Sequence, residues 1–474
     1  MVIEPGEAPF LAVFFLAPAA LSAATPNVVI VFVDDMGYGD LGCYGSERNR
    51  TPNLDKLAKE GLRSERFYVA QPVCSASRAG LMTGCYPTRV GIRGALSPVA
   101  KVGLDPAETT LAEIVKQKGY ATAAVGKWHL GHHPSMLPLA QGFDQYLGLP
   151  YSNDMWPHRA DGSVGKSKPP PLPLIENNTV KIADVKPEDQ KLLTTQYTEK
   201  AVGFIKENKD KPFFLYLAHS MPHVPLFVSD KLPPGKDLYA SVVEEIDWSV
   251  GQIVKTVEET GATENTLIIF TSDNGPWLNH GTHSGSAGPL REGKGTAWEG
   301  GIRVPFIAKW PGKIPAGSVS KEPMMTIDLL PTLAGIIDAK LPERKIDGLD
   351  VLPILTGQPG AKNPHEAYFI YYQDDQLQAV LSGDWKLYLP HQYRTMNGRP
   401  GGTDGKPNPY ENKRLTEPEL YNVATDIGET KNVAAENPEI VQRLLGQAEK
   451  AREDLGDTLT KRKGSGTRGP GKVE

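Results

Sequence analysis

An α/β fold is predicted for this chain: a large domain with a mostly parallel sheet covered by helices on both faces, then a small antiparallel C-terminal subdomain. Three observations carry that expectation. Asn27–Val33, Pro212–Ala218 and Thr266–Thr271 are nearly unbroken apolar runs, the pattern of strands buried on both faces of a parallel sheet. Stretches with helical periodicity lie between them, so strands and helices alternate. After about residue 360 the chain changes to short strand-like runs without long helices between them.

Taken in order, the first strand ends in Asp34-Asp35 and Met36-Gly37-Tyr38-Gly39-Asp40. Open α/β sheets place their ligands at such carboxyl ends. Thr51 and Pro52 open a helix as N-cap and first position, and Gly61 marks its end. Phe67–Ala70 is extended and leads to a turn at Cys74. A helix over Ser75–Met82 follows, stopped by Gly84. Cys74 therefore sits at a helix N-terminus, where free amides and the macrodipole favour an anion. Thr109–Lys118 is helical, with Leu111, Ile114 and Val115 on one face. Ala121–Val125 is a small-residue strand feeding Gly126-Lys127-Trp128-His129-Leu130-Gly131.

Pro157–Lys186 is Pro- and Lys-rich and reads as a surface excursion carrying the sequon Asn177-Asn178-Thr179. Helices over Leu192–Asn208 and Ala240–Thr260 flank the Pro212–Ala218 strand, which delivers His219 and His223. Ser272-Asp273-Asn274-Gly275 ends the next strand, and Ile327–Ile337 is the closing helix. In the C-terminal part, Tyr368–Tyr372, Ala379–Leu381 and Trp385–Leu389 are short strands. His391–Arg414 is a Gly/Pro/Asn-rich loop of the kind that shapes binding sites. The resulting division is 1–24 as a signal segment, 25–360 as the large domain, 361–460 as the C-terminal subdomain and 461–474 as a disordered tail.

A formal net charge of -5 gives no reason to expect a nucleic-acid partner or a membrane surface, so affinity for an anion must come from local cations. Cys43, Cys74 and Cys85 are too few for a disulfide scaffold; Cys43 and Cys85 would be left to pair if Cys74 were modified. Phe10–Ala24 is apolar and ends in small residues, as a secretory signal does, although Glu4 and Glu7 precede it where such signals are basic. An exported protein is expected. No later run is long enough to cross a bilayer.

The stretch Pro72-Val73-Cys74-Ser75-Ala76-Ser77-Arg78-Ala79-Gly80-Leu81-Met82-Thr83-Gly84 resembles the signature of the type I, formylglycine-dependent sulfatases. In that signature a Cys is followed by Pro or Ala two residues on, Arg four on, then Leu-x-Thr-Gly. This chain has Ala76 where many members have Pro. Val-Asp-Asp-Met-Gly, Gly-Lys-Trp-His-Leu-Gly and Ser-Asp-Asn-Gly extend the resemblance, which runs from about residue 26 to 435. It implies an alkaline-phosphatase-like fold and an arylsulfatase-type sulfuric ester hydrolase, matured by a formylglycine-generating enzyme.

Residue by residue, the resemblance implies that Cys74 becomes formylglycine, whose hydrate is the nucleophile. Asp34, Asp35, Asp273 and Asn274, with residue 74, would hold Ca²⁺, or Mg²⁺. An all-oxygen set suits such hard cations. Singly, each acid pair is an ordinary strand-end turn; with the Cys74 motif they match the family's ligand positions. Lys127, His129 and Lys294 are implied at the sulfate, and Arg78 at the hydrated aldehyde. His219 and His223 compete for general acid, and the His-x-Pro spacing favours His223. Ser152 aligns with a polar residue near the sulfate.

Two rivals share these residues. One is a formylglycine-dependent phosphonate or phosphodiester hydrolase; the other is an inactive carbohydrate-binding homologue with unmodified Cys74. The substrate class expected is a sulfated carbohydrate or an aryl sulfate, with an exported location favouring a glycan.

Overall fold

Residues 1–2, 25–164, 169–232 and 235–473 are described by the computed structural model; the expected signal segment lies almost wholly outside them. Eleven strands form one sheet. Its five central strands are parallel and lie in the spatial order Thr266–Ser272, Asn27–Val33, Phe213–Ala218, Ala121–Gly126, Gln145–Gly148.

The alternation of side chains along Asn27–Val33 explains the three layers. Val28, Ile30 and Phe32 join a core with the helices Cys74–Thr83, Leu111–Lys116 and Leu329–Ile336. Val29, Val31 and Val33 face the helices Pro52–Lys59, Pro187–Glu207 and Leu238–Glu259 on the other side. Each fully buried side chain of this kind contributes roughly 1.5–3 kcal/mol.

Two strands depart from the parallel core. Arg303–Lys309 runs antiparallel between Thr266–Ser272 and Leu62–Tyr68. It holds Pro305, which cannot donate to a ladder, and the register shifts between Val304 and Phe306 to accommodate it. Within the expected surface excursion, Leu174–Glu176 and Thr179–Ile182 form a hairpin at the far edge of the sheet. The sequon Asn177 sits exposed at its turn with φ 56.

The C-terminal part is a four-stranded antiparallel sheet of Tyr368–Tyr372, Gln376–Ser382, Trp385–Tyr388 and Glu419–Asn422. Leu444, Ala448, Ala451 and Leu455 of the helix Pro438–Leu455 pack in its core. The loop expected over 391–414 carries a hairpin, Gln392–Thr395 with Glu411–Arg414. The expectation of a disordered tail is corrected: Arg462–Lys463 and Gly471–Lys472 are short paired strands. The reason is charge rather than composition. Arg468 reaches buried Glu108 at 2.6 and 2.8 Å, while Arg89, fully buried, ties Asp347 to Asp454.

A second buried ionic cluster joins the two parts of the chain. Lys386 of the small sheet donates to Glu299 at 2.8 Å and lies 3.4 Å from Glu429; Tyr68 and Tyr388 complete the set. Burial pushes the Glu429 carboxyl up to about 7 against the pull of Lys386. The folded value lies above the ordinary one, so protonated Glu429 favours folding. That contribution is complete below about pH 4.5 and is lost as pH rises through about 7. Glu429→Gln is therefore expected to gain melting temperature relative to the parent chain between pH 5 and pH 8. A difference constant across that range, in paired thermal melts, would count against it.

Candidate active site

Four neighbouring strands end on one side of the sheet, and their backbones are tied together there. The Asp34 amide donates to Met221 O (3.3 Å), Lys127 to Ala218 O (2.8 Å) and Asp273 to Val33 O (3.0 Å). Gly126 permits this closure: at φ 112, a Cβ there would lie 1.9 Å from Ala218 O. Asp35 and His129 also take left-handed conformations, at φ 63 and 59. Strained non-glycine residues of this type cluster at functional sites.

Cys74 enters from below as the first residue of a helix whose ten residues are all buried. Its Sγ lies 3.7 Å from Asp34 Oδ1 and 3.4 Å from Lys294 Nζ. Burial pushes the thiol up to about 12, so the unmodified side chain is protonated at neutral pH and a weak nucleophile.

Around it, acids and bases interlock. Lys127 Nζ pairs with Asp34 and donates to Ser152 Oγ at 3.1 Å. Burial opposes ionisation of Asp34, yet Lys127 and its neighbours hold the carboxyl well below the usual range. Lys294 Nζ is 2.7 Å from Asp35 Oδ1 and lies over the Trp277 ring at 4.5 Å. Arg78 donates to Asp273 Oδ2 at 2.8 Å and to Lys127 O at 3.0 Å, and sits 3.6 Å from Asp34. The arginine thus braces two carboxylates.

Asp34, Asp35, Cys74 and His223 offer donor atoms within 4.8 Å of one another. Asn274 donates to Asp35 Oδ1 at 2.7 Å, while its own Oδ1 is buried without a partner. Asp273 Oδ1 accepts the Asp35 amide at 3.1 Å. Three carboxylates and an orphaned amide oxygen fit a hard divalent cation.

The histidines separate by their partners. His129 Nε2 is 2.9 Å from Leu96 O, which fixes the proton on Nε2. Its Nδ1 is buried without a partner, and burial, with Lys127, holds the ring neutral. His223 Nδ1 donates to Val224 O (2.6 Å), and its Nε2 faces Asp35 Oδ2 at 3.5 Å. His219 instead bonds Ser249 Oγ at 3.0 Å, among the helices Pro187–Glu207 and Leu238–Glu259, and burial lowers it to about 3.

Contacts thus link Asp34, Asp35, Cys74, Arg78, Lys127, Ser152, His223, Asp273, Asn274 and Lys294, while His219 points to other partners. Reading the sequence missed Arg394, which donates to the Lys294 carbonyl from the C-terminal hairpin (Nε to O 3.2 Å), and Trp277, which covers Lys294. The signal for Arg394 was its place in the Gly/Pro-rich loop; Trp277 follows Asn274 by three residues.

Fold and site together are those of a sulfuric ester hydrolase built on the alkaline-phosphatase-like architecture. The sulfatase family model matches residues 26–339, and that for the C-terminal region of aryl-sulfatase matches residues 363–469. The chain belongs to the sulfatase family. Arylsulfatase A of Homo sapiens is 38% identical over 454 residues, covering 90% of this chain and 88% of the relative. N-acetylgalactosamine-6-sulfatase of Canis lupus familiaris is 40% identical, covering 79% and 74%. Among solved structures, the PsFucS1 sulfatase from Pseudoalteromonas sp. superposes with a TM-score of 0.79 at 31% identity, covering 91% and 92%.

Proposed function

We propose that the chain releases sulfate from monoesters of a sulfated glycan through the hydrate of a formylglycine made from Cys74 by a formylglycine-generating enzyme. The observation that carries this reading is the position of Cys74: a buried thiol at a helix N-terminus, between Asp34 and Lys294, with its ionisation suppressed. As a thiol it is poorly suited to attack. As an aldehyde hydrate it would supply one hydroxyl for attack on sulfur and a second through which sulfate is expelled as the carbonyl reforms.

Asp34, Asp35, Asp273 and Asn274 would hold Ca²⁺, or Mg²⁺, which supplies positive charge against the sulfate oxygens. Lys127 and Lys294 bring fixed cations to the same charge, with Ser152 and Trp277 holding their ammonium groups in place. Arg78 braces Asp34 and Asp273 against one another. His129 holds its Nε2 proton on Leu96 O, so its unpartnered Nδ1 would accept a proton rather than donate one. His223, with Nδ1 committed to Val224 O, would act through Nε2 on the leaving oxygen as general acid.

An exported location is part of the same reading and rests on the apolar 10–24 segment. Among the described residues no helix is long and apolar enough to cross a membrane.

The reading is tested by assaying one purified sample on 4-nitrophenyl sulfate, 4-nitrophenyl phosphate and a phenyl phosphonate, beside the mass of the Cys74 peptide. Predominant sulfate turnover and the aldehyde mass are expected; predominant phosphate or phosphonate turnover overturns the reading. His223→Ala is expected to lower kcat about 100-fold on alkyl sulfates and less on 4-nitrophenyl sulfate, whose leaving group needs little protonation. Equal losses on both esters would remove the general-acid role.

A further inference from the structure

In the reaction proposed above Lys294 acts through its ammonium, but its main chain is held by three separate parts of the molecule. The Lys294 amide donates to Pro276 O at 2.9 Å, two residues after Asn274. The following amide, that of Gly295, donates to Pro72 O at 2.9 Å, two residues before Cys74. The Lys294 carbonyl closes the set by accepting from Arg394, through Nε at 3.2 Å and through Nη2 as well. The 294–295 peptide therefore joins the strand end that carries Asp273 and Asn274, the Cys74 turn and the C-terminal hairpin.

The hairpin holds more of this loop than one carbonyl. Arg394 lies on Gln392–Thr395, and its guanidinium sits over the Tyr410 ring at 4.6 Å, just before the partner strand Glu411–Arg414. The Thr395 hydroxyl bonds Glu292, and the Met396 amide reaches the same carboxylate at 3.4 Å. Glu292 stands at φ 58 and Gly295 at φ 77, so left-handed turns flank Lys294 on both sides. A non-glycine residue in that conformation persists only where its surroundings hold it. At Gly295 a Cβ would collide with the Arg394 guanidinium, so the close approach of the two needs glycine. Among the described residues Arg394 has no carboxylate partner, and both of its bonds go to the one backbone oxygen.

A cation lowers a barrier most when it is fixed in advance, and a displacement of about 1 Å can cost about 100-fold. Asp35 at 2.7 Å and Trp277 at 4.5 Å hold the ammonium end of Lys294, but the root of this long side chain depends on its main chain. Resting on the proposed function, we infer that Arg394 is a positioning residue: it fixes the main chain from which Lys294 reaches the sulfate. The C-terminal part thereby takes part in the reaction through Lys294.

The test is a double-mutant cycle on the mature enzyme, comprising the parent, Arg394→Met, Lys294→Ala and the pair. Methionine keeps an apolar stem for the Tyr410 ring and removes the donors. Two quantities are read for each: kcat/KM on 4-nitrophenyl sulfate, and the dissociation constant of inorganic sulfate by titration calorimetry, which decides where turnover is too low to measure. In the parent background Arg394→Met is expected to cost about 10-fold in kcat/KM and to weaken sulfate binding at least about 3-fold. In the Lys294→Ala background the same change is expected to cost less than about 2-fold in either, because no ammonium is left to misplace. General damage to the hairpin would lower both backgrounds by the same factor. Equal losses of that kind, no loss in the parent, or a Lys294→Ala enzyme that matches the parent overturn the inference and leave the sulfatase reading standing. Melting temperatures are measured alongside, and Arg394→Ala replaces Arg394→Met under the same criterion if the latter has not folded. Sulfate release by none of the four, the parent included, removes the sulfatase reading and the inference with it.

Discussion

Cys74→Ala is expected to lower sulfate-ester turnover by at least about 10⁴-fold while leaving the fold in place. The kinetic loss follows from the chemistry: residue 74 is the motif's own cysteine, and alanine in its place offers no atom for attack on sulfur. The structural tolerance follows from the surroundings. Cys74 is 2% exposed, and its Sγ makes two long contacts, 3.7 Å to Asp34 and 3.4 Å to Lys294. Removing one sulfur leaves a void of about one atom, and alanine is a strong helix former, so the stability cost is about 1 kcal/mol. The measurement pairs steady-state sulfate release with a thermal melt. Turnover within about 10-fold of the parent, in a sample whose melt is unchanged, would remove residue 74 as the nucleophile.

How legible this was in the sequence differs between the scaffold and the site. The parallel strands were readable because burial on both faces forces nearly continuous apolar runs, as in Asn27–Val33. Arg303–Lys309 was not, because Pro305 and its charged ends break the strand pattern, and only the sheet shows that a register shift absorbs the proline. The helix Pro438–Leu455 was also missed. Four of its residues, Leu444, Ala448, Ala451 and Leu455, are buried, and two of these are alanine, so its apolar stripe is faint. The tail was misread because Gly and Lys dominate its composition, whereas its order depends on Arg468 meeting Glu108 from far along the chain.

Within the site, the residues that follow strands as contiguous motifs were readable: Asp34-Asp35, Lys127 with His129, and Asp273-Asn274. What each side chain does there was less so. Arg78 reads as a partner for residue 74, and its bonds to Asp273 and Lys127 are not legible in the motif. The tautomer of His129 depends on the carbonyl of Leu96, a loop residue with no motif of its own. Ser152 aligns with a polar residue near the sulfate only through the resemblance, and its pairing with Lys127 is set by the fold. Pairings of this kind are decided by long-range packing, which a local pattern does not encode.

Asp273→Ala is expected to lose both the bound divalent cation and activity, the latter by at least about 10³-fold. Three tasks meet at this carboxylate. Oδ1 accepts the Asp35 amide at 3.1 Å, so it helps hold Asp35 in its left-handed conformation. Oδ2 takes the Arg78 guanidinium at 2.8 Å, and that guanidinium is fully buried. The third is its share of the proposed cation set. Removal leaves Arg78 with Asp34 as its remaining carboxylate, at 3.6 Å, and stranding a buried charge in this way costs about 3–5 kcal/mol. Loss of activity alone would therefore not separate cation binding from damage to the fold. Asp273→Asn does: it keeps the size and an oxygen for the Asp35 amide while removing the charge. It is expected to melt closer to the parent than the alanine variant does, yet still to lack stoichiometric metal by elemental analysis after dialysis. One metal per chain retained in both variants would show that Asp273 is a brace for Arg78 and not a ligand, and would move the cation toward Asp34, Asp35 and Asn274.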